Sequence, residues 1–397
     1  MTERFTGSFT QQDPIPQAGI DAAIAVMQHG RLHRYNTAPG EVSETALLEQ
    51  DFAAYLGAQY CLAVASGGYA MATALRAVGV GHGDAVLSNA FTLAPVPGAI
   101  AGVGGVPVFV GVTESLTIDL DDLAGKLDKA KVLLLSHMRG HICDMDRLMA
   151  MCNAVGVTVI EDCAHTMGGA WKGRPSGTHG AIGCYSCQTY KHVNAGEGGF
   201  LVTNDPHLAA KAVMLSGSYM LYERHLAAPP KEAFDDIKYT TPNISGRMDN
   251  LRAAILRPQV ADLAAQCDRW NDRYRTLEDG LRDTPGLTVV ERPAEETIVG
   301  SSIQFLLLDW AASAVREVIA RCAARGVELK WFGAPEPMAF TSRYDSWRYA
   351  PSVPMAASDR ILAGIVDMRV PLTFSLDDCA LIARIIRAEV SAVYQAA

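Results

Sequence analysis

The sequence has no apolar run long enough to cross a membrane, no cluster of basic residues and no pairing pattern among its cysteines. Each absence excludes something. Without an uninterrupted apolar stretch of about 20 residues there is no candidate transmembrane helix. Lys and Arg number 34 against 43 Asp and Glu, a formal net charge of −9, so no global field attracts phosphate backbones, and neither nucleic acid nor a membrane surface is an expected partner. The 9 cysteines are odd in number and scattered. They give neither a disulfide framework nor a zinc ribbon and read as buried thiols of a reducing compartment. The opening MTERFTGSFTQQDPIPQ lacks a basic segment followed by an apolar one, so no signal peptide is expected and the location is read as cytoplasmic.

What is present is a large apolar fraction: 49 % of 397 residues, against 19 % charged. That length allows two or three domains at roughly 150 residues each, with ample core. Short β-branched runs at 85–89 (AVLSN), 106–112 (VPVFVGV), 131–137 (KVLLLSH) and 157–162 (VTVIED) alternate with helical stretches such as SETALLEQDFAAYLG, YAMATALRAVGV and DMDRLMAMCNAVG. Strands separated by crossover helices predict an α/β domain with a mostly parallel sheet covered by helices. From residue 249 the pattern turns into a long helical reading that Pro258 is expected to kink or break. The remainder reads as a smaller α+β unit. The expected division is therefore 1–248, a large domain including the N-terminal segment, and 249–397, a linking helix with a small C-terminal domain.

In open α/β sheets ligands sit beyond the carboxyl ends of the strands, which directs attention to polar residues that close a strand. Asp162 closes VTVIED, and Ser186 closes AIGCYS. Lys191 follows Ser186 by five residues and is succeeded by Gly196, Gly198 and Gly199, which permit close backbone approach. Taken singly, Asp162 also fits a helix cap or ion pair, and Lys191 a solvated surface charge. Together, an amine near a buried acid suggests pyridoxal phosphate, since a desolvated lysine forms a Schiff base and the pyridine nitrogen needs an acid beside it. Its phosphate needs a cradle. Ser66, Gly67 and Gly68, between CLAVA and the helix that follows, offer backbone N–H groups at a helix N-terminus, although an ordinary strand-to-helix turn has the same composition.

The run IEDCAHTMGGAWKGRPSGTHGAIGCYSCQTYKHVNAGEGGFLVTND resembles the cofactor-binding core of the DegT/StrS family of fold-type-I pyridoxal-phosphate aminotransferases, best known for forming amino sugars and aminocyclitols. LLEQDFAAYLGAQYCLAVASGG, HICDMDRL and GRMDNLRAAIL extend the likeness over roughly residues 15 to 390. The resemblance implies that Lys191 carries the cofactor and that Asp162 pairs with its ring nitrogen. It further implies that His165 contacts the ring, that Ser186, Gly67 and Gly68 bind the phosphate, and that PNISGRMDN crosses a homodimer interface to the neighbouring phosphate. The implied reaction moves an amino group from glutamate or glutamine to a keto or aldehyde acceptor of the sugar or cyclitol class. Another reaction of the same cofactor, such as elimination or dehydration, and a non-catalytic regulatory protein of the same fold remain open alternatives.

Departures from the family pattern fall both at the cofactor's expected contacts and where substrate would sit. Gly68 replaces a threonine, Leu93 an aromatic residue, and Ser245 the crossing asparagine, leaving Asn243 as its substitute. LKWFGAPEP stands where a His-Tyr element is usual. Arg139 is a candidate for a substrate carboxylate, and Trp331 or Phe332 for packing on a ring. No metal site is expected. His137 and His141 are separated by a strand end and Gly140, Cys184 and Cys187 fall on opposite faces of a strand, and of Glu161 and Asp162 only Asp162 can face the site.

Overall fold

The structure, a computed structural model, describes residues 3–396. Seven strands, β1 (Tyr60–Val64), β2 (Ala85–Asn89), β3 (Val106–Val110), β4 (Val132–Ser136), β5 (Thr158–Asp162), β6 (Ile182–Ser186) and β7 (Gly199–Thr203), form one sheet in the order β1-β7-β6-β5-β4-β2-β3. Strand β7 runs antiparallel to β1 and β6, and the remaining neighbours are parallel. Both faces are covered, which is why the strands read as continuous apolar runs. Val132, Leu134 and Ile160 enter one core with helix Gly67–Ala77, while Leu133, Leu135 and Val159 enter another with helix Met145–Val155. The expected strands are all found: 85–89 coincides with β2, and the other three lie within their expected runs, shorter by one or two residues. Ser43 caps helix Glu44–Leu56 by accepting from the Ala46 amide at 3.2 Å.

The expected break at Pro258 does not occur. Helix Asn250–Ala261 continues through the proline, and the chain turns at Asp262 before helix Leu263–Leu281. The side-chain amide of Gln259 donates to the carbonyls of Ile255 and Asn194 at 2.8 Å and accepts from the Asn194 amide at 2.9 Å. These tertiary bonds hold the turn that the proline weakens.

A second sheet is antiparallel throughout: β8 (Thr288–Val289), β9 (Ser302–Leu306), β10 (Lys330–Trp331) and β11 (Ile365–Arg369), in the order β8-β9-β11-β10. Helices Leu263–Leu281, Ala312–Ala324 and Leu376–Ala396 supply the rest of its core. Packing crosses the expected division at 248/249 in both directions. Ala253, Leu256 and Val260 form a helical stripe buried with Leu48 and Phe52 of the large unit. Conversely, Phe5 and Phe9 sit in the C-terminal core, edge-on to Phe374 at 4.8 and 5.0 Å. Apolar burial, not chain order, decides which body each segment joins. Among the described residues no helix is long and apolar enough to cross a membrane.

Candidate active site

A cavity of about 320 Å³ opens at the carboxyl ends of the large sheet, with one wall contributed by the small sheet. Asp162, the last residue of β5, lies at its floor. Its Oδ2 accepts from the Ser136 hydroxyl at 2.9 Å and its Oδ1 from the Ala164 amide at 3.2 Å. Ser136 closes the adjacent strand β4 and is itself clamped by Asn89, whose side chain accepts from the Ser136 amide at 2.8 Å and donates to its carbonyl at 3.0 Å. Burial raises the Asp162 carboxyl above its usual range, against the opposing pull of those two donors. A carboxylate here gains most from a cation or an N–H partner.

Lys191 reaches the same cavity from the irregular segment between β6 and β7, and its Nζ lies 2.8 Å from Nε2 of His165. Burial first, and then the charge of Arg139, bring the Lys191 amine down to about 7. Burial also drives His165 well below its ordinary value, with the Lys191 charge adding to the effect, so the neutral ring can accept from the amine. Two devices thus keep a reactive amine available near neutral pH.

The end of β6 and the start of helix Gly67–Ala77 close the cavity's far side. An ideal β-carbon on Gly67 would lie 2.8 Å from Cβ of Ser186, so only glycine lets the helix start this near the Ser186 hydroxyl. Gly199 at the start of β7 has the same constraint, 2.6 Å from the Ser66 and Tyr185 backbone. First-turn amides have no acceptor within their own helix. Those of Gly67 and Gly68, together with the Ser186 hydroxyl, are donors that could hold an anion at the cavity's far side. At Gly68 a β-carbon would meet nothing nearer than 3.9 Å, so the family's threonine would fit and its absence is a chemical difference, not a packing requirement.

The cavity therefore gathers six of the residues singled out in the sequence: Gly67, Gly68, Asp162, His165, Ser186 and Lys191. Asn243 is not among its lining. It is exposed, on a segment where Gly246 accepts from Ala65 and Ile244 from Tyr69. Arg139 lines the cavity but is engaged: its guanidinium is 2.9 Å from Asp367 Oδ2 and donates to the Phe340 carbonyl at 3.2 Å. Trp331 and Phe332 are buried elsewhere, Trp331 donating to the Ala363 carbonyl at 2.7 Å and Phe332 set edge-on to Phe91. The aromatic walls are Tyr190 and Phe340 instead. Leu93 does line the cavity, where an aromatic residue is usual.

The remaining candidates have local partners. His137 and His141 bond separately, to Glu161 at 3.0 Å and to Gln304 at 2.8 Å. Glu161 faces away from Asp162 and also accepts from the amides of Gly177, His179 and Gly180. Burial opposes its ionisation, but His137 and these amides hold it below the usual carboxylate value. With Cys163 these groups lie close enough to hold a metal ion, yet the four donors occupy the Glu161 oxygens a metal would need. Cys184 and Cys187 enter different cores on opposite sides of the sheet. Ser136, Asn89, Lys330 and Arg369 were not singled out in the sequence. The first two obey the strand-end rule that identified Asp162, whereas nothing local marks Lys330 or Arg369.

Comparison with known proteins gives the same picture. A model of the DegT/DnrJ/EryC1/StrS aminotransferase family matches residues 19–387. A pleiotropic regulatory protein of Geobacillus stearothermophilus is 33 % identical over 57 % of this chain and 58 % of its own length. The L-glutamine:2-deoxy-scyllo-inosose aminotransferase of Streptomyces kanamyceticus is 31 % identical over 69 % of this chain and 67 % of its own. The fold matches that of 3-amino-5-hydroxybenzoic acid synthase with a TM-score of 0.82 and 24 % identity, over 99 % of this chain and 100 % of the other. With the mostly parallel sheet, the small antiparallel sheet and the cavity that gathers Lys191, Asp162, Gly67 and Ser186 at their junction, the matched length leaves one assignment: the chain is a fold-type-I protein of the DegT/DnrJ/EryC1/StrS aminotransferase family.

Proposed function

We propose that the protein is a pyridoxal-phosphate-dependent aminotransferase, taking an amino group from glutamine or glutamate and delivering it to the carbonyl of a sugar-like or cyclitol-like acceptor. The observation that carries this reading is the convergence of Lys191, Asp162 and the Gly67/Ser186 cradle on one cavity. When bound, the cofactor supplies an electron sink for the pair released at the substrate carbon. Lys191 would attach it, Asp162 would hold the proton on its ring nitrogen, and the Gly67 and Gly68 amides with the Ser186 hydroxyl would hold its phosphate. His165 keeps the Lys191 amine in place. An amine with a pKa of about 7 is well matched to removing and returning a proton at the substrate carbon. An intact Lys191 and Asp162 favour an enzyme over a purely regulatory protein. The test is a titration of the purified yellow protein with glutamine, glutamate and other amino acids. At least one donor should bleach the cofactor band, with its keto acid appearing in equal amount. A panel that leaves the spectrum unchanged would refute the reading.

The working unit in this proposal is a cytoplasmic homodimer whose sites are completed by the segment around Asn243, Ser245 and Arg247. The exposed Asn243 lies outside its own cavity. Ile20, Ile24 and Met27 on helix Gln17–His29, with Tyr219, Met220 and Ile244, present apolar surface to solvent in the single chain, as an unpaired interface does. Mixing Lys191→Ala with Asn243→Ala/Arg247→Ala should restore activity, since a mixed dimer holds one site with both lesions and one with neither. Subunit exchange verified by mass, without recovery, would show that the loop serves its own chain.

A further inference from the structure

Among the described residues, two cations on the small-sheet wall of the cavity have no carboxylate in contact, although Asp367 lies near enough to act on both by charge. Lys330 opens β10 and Arg369 closes β11, and both line the cavity. Among the described residues neither has an Asp or Glu oxygen within ion-pair distance, whereas Arg139 is spent on Asp367 at 2.9 Å. Their neighbours are aromatic: the Arg369 guanidinium is 3.6 Å from the Tyr190 ring centre, and Lys330 Nζ is 5.1 Å from that of Phe340. The other acids of the cavity are Asp162, bonded at the floor, and Glu197, exposed at the rim. Burial lowers Arg369 to about 10 and Lys330 below its usual value; the charge of Asp367 pulls the other way on both, as does Tyr190 on the arginine, and Arg139 adds repulsion to each. Partly buried like charges of this kind are stabilised by an incoming anion.

A neutral polyhydroxylated ring would leave both charges unpaired, whereas a carboxylate satisfies them together, since the arginine fork matches its two oxygens. We propose that Lys330 and Arg369 form a carboxylate-binding subsite that selects an acidic acceptor, a cyclic keto acid or sugar acid, over neutral cyclitols and sugars. This rests on the aminotransferase reading. Both substrates would occupy the cavity in turn, so the donor's carboxylate can meet the same pair.

The test is calorimetric titration of the cofactor-loaded protein with 3-oxocyclohexanecarboxylate, with its neutral carboxamide and, in parallel, with glutamine. The carboxylate should bind at least about tenfold more tightly than the carboxamide, the scale of one charged hydrogen bond. Lys330→Gln and Arg369→Gln should each erode that preference and together remove it, while Arg369→Lys, which keeps the charge, should retain most of it. No measurable binding of the carboxylate, equal binding of the two probes, a preference surviving the double substitution, or a loss confined to glutamine would each overturn the proposal. Failure of the parent reading is separate: it appears as a cofactor spectrum that no amino donor changes.

Discussion

Lys191→Ala should reduce amino transfer by at least about a thousandfold while leaving the fold and a noncovalently held cofactor in place. The size follows from losing two roles at once, cofactor attachment and proton transfer, the latter alone worth roughly 10²–10⁴. The side chain is half-buried in the cavity wall and bonded only to His165 at 2.8 Å, so truncation removes chemistry with little packing. Steady-state turnover gives the first measurement. Borohydride reduction of the parent followed by peptide mapping gives the second, and should place the pyridoxyl group on Lys191. A label on another lysine, or turnover within tenfold of the parent, would displace Lys191 from the centre of the site.

Asp162→Asn should cost roughly a hundredfold or more in kcat/KM, about 3 kcal/mol at the transition state, because a charged partner in a water-poor site gives way to a neutral one. The substitution keeps the shape and an acceptor for Ser136, so the fold should persist. Ser136→Ala should act in the same direction but more weakly, since the Ser136 hydroxyl orients the carboxylate without touching the reacting groups. Parallel measurement of cofactor affinity and of the absorbance profile against pH separates a lost charge from a lost fold. Activity within about threefold of the parent for Asp162→Asn would remove its assigned role.

The large sheet was legible because its strands are short, β-branched and buried on both faces, and because alternation with helices leaves few topologies open. That Asp162 and Ser186 would reach one cavity was legible for a related reason: each closes a strand, and strand ends are where such sheets bind ligands. The same logic reaches Ser136 and Asn89, whose roles become visible only when the clamp between neighbouring strands is seen. The substrate-facing wall was not legible. Arg139 looked available because its partner Asp367 lies more than two hundred residues away, and Lys330 and Arg369 meet only through strand pairing in the small sheet. Pro258 misled because a local rule was overridden by Gln259 and its tertiary bonds.

The packing of Phe5 and Phe9 against Phe374 bears on how the protein is made. At a synthesis rate of roughly 5–20 residues per second, Phe374 emerges some twenty to seventy seconds after the two N-terminal rings it covers. Through that interval Phe5 and Phe9, which pack edge-on to each other at 5.7 Å, lack the third ring of their cluster, while the large sheet that follows them is free to form. A newly made chain therefore carries an exposed apolar tether on an otherwise structured body, the kind of surface that ribosome-associated chaperones shield. Aggregation during rapid expression should start from the segment that carries Phe5 and Phe9.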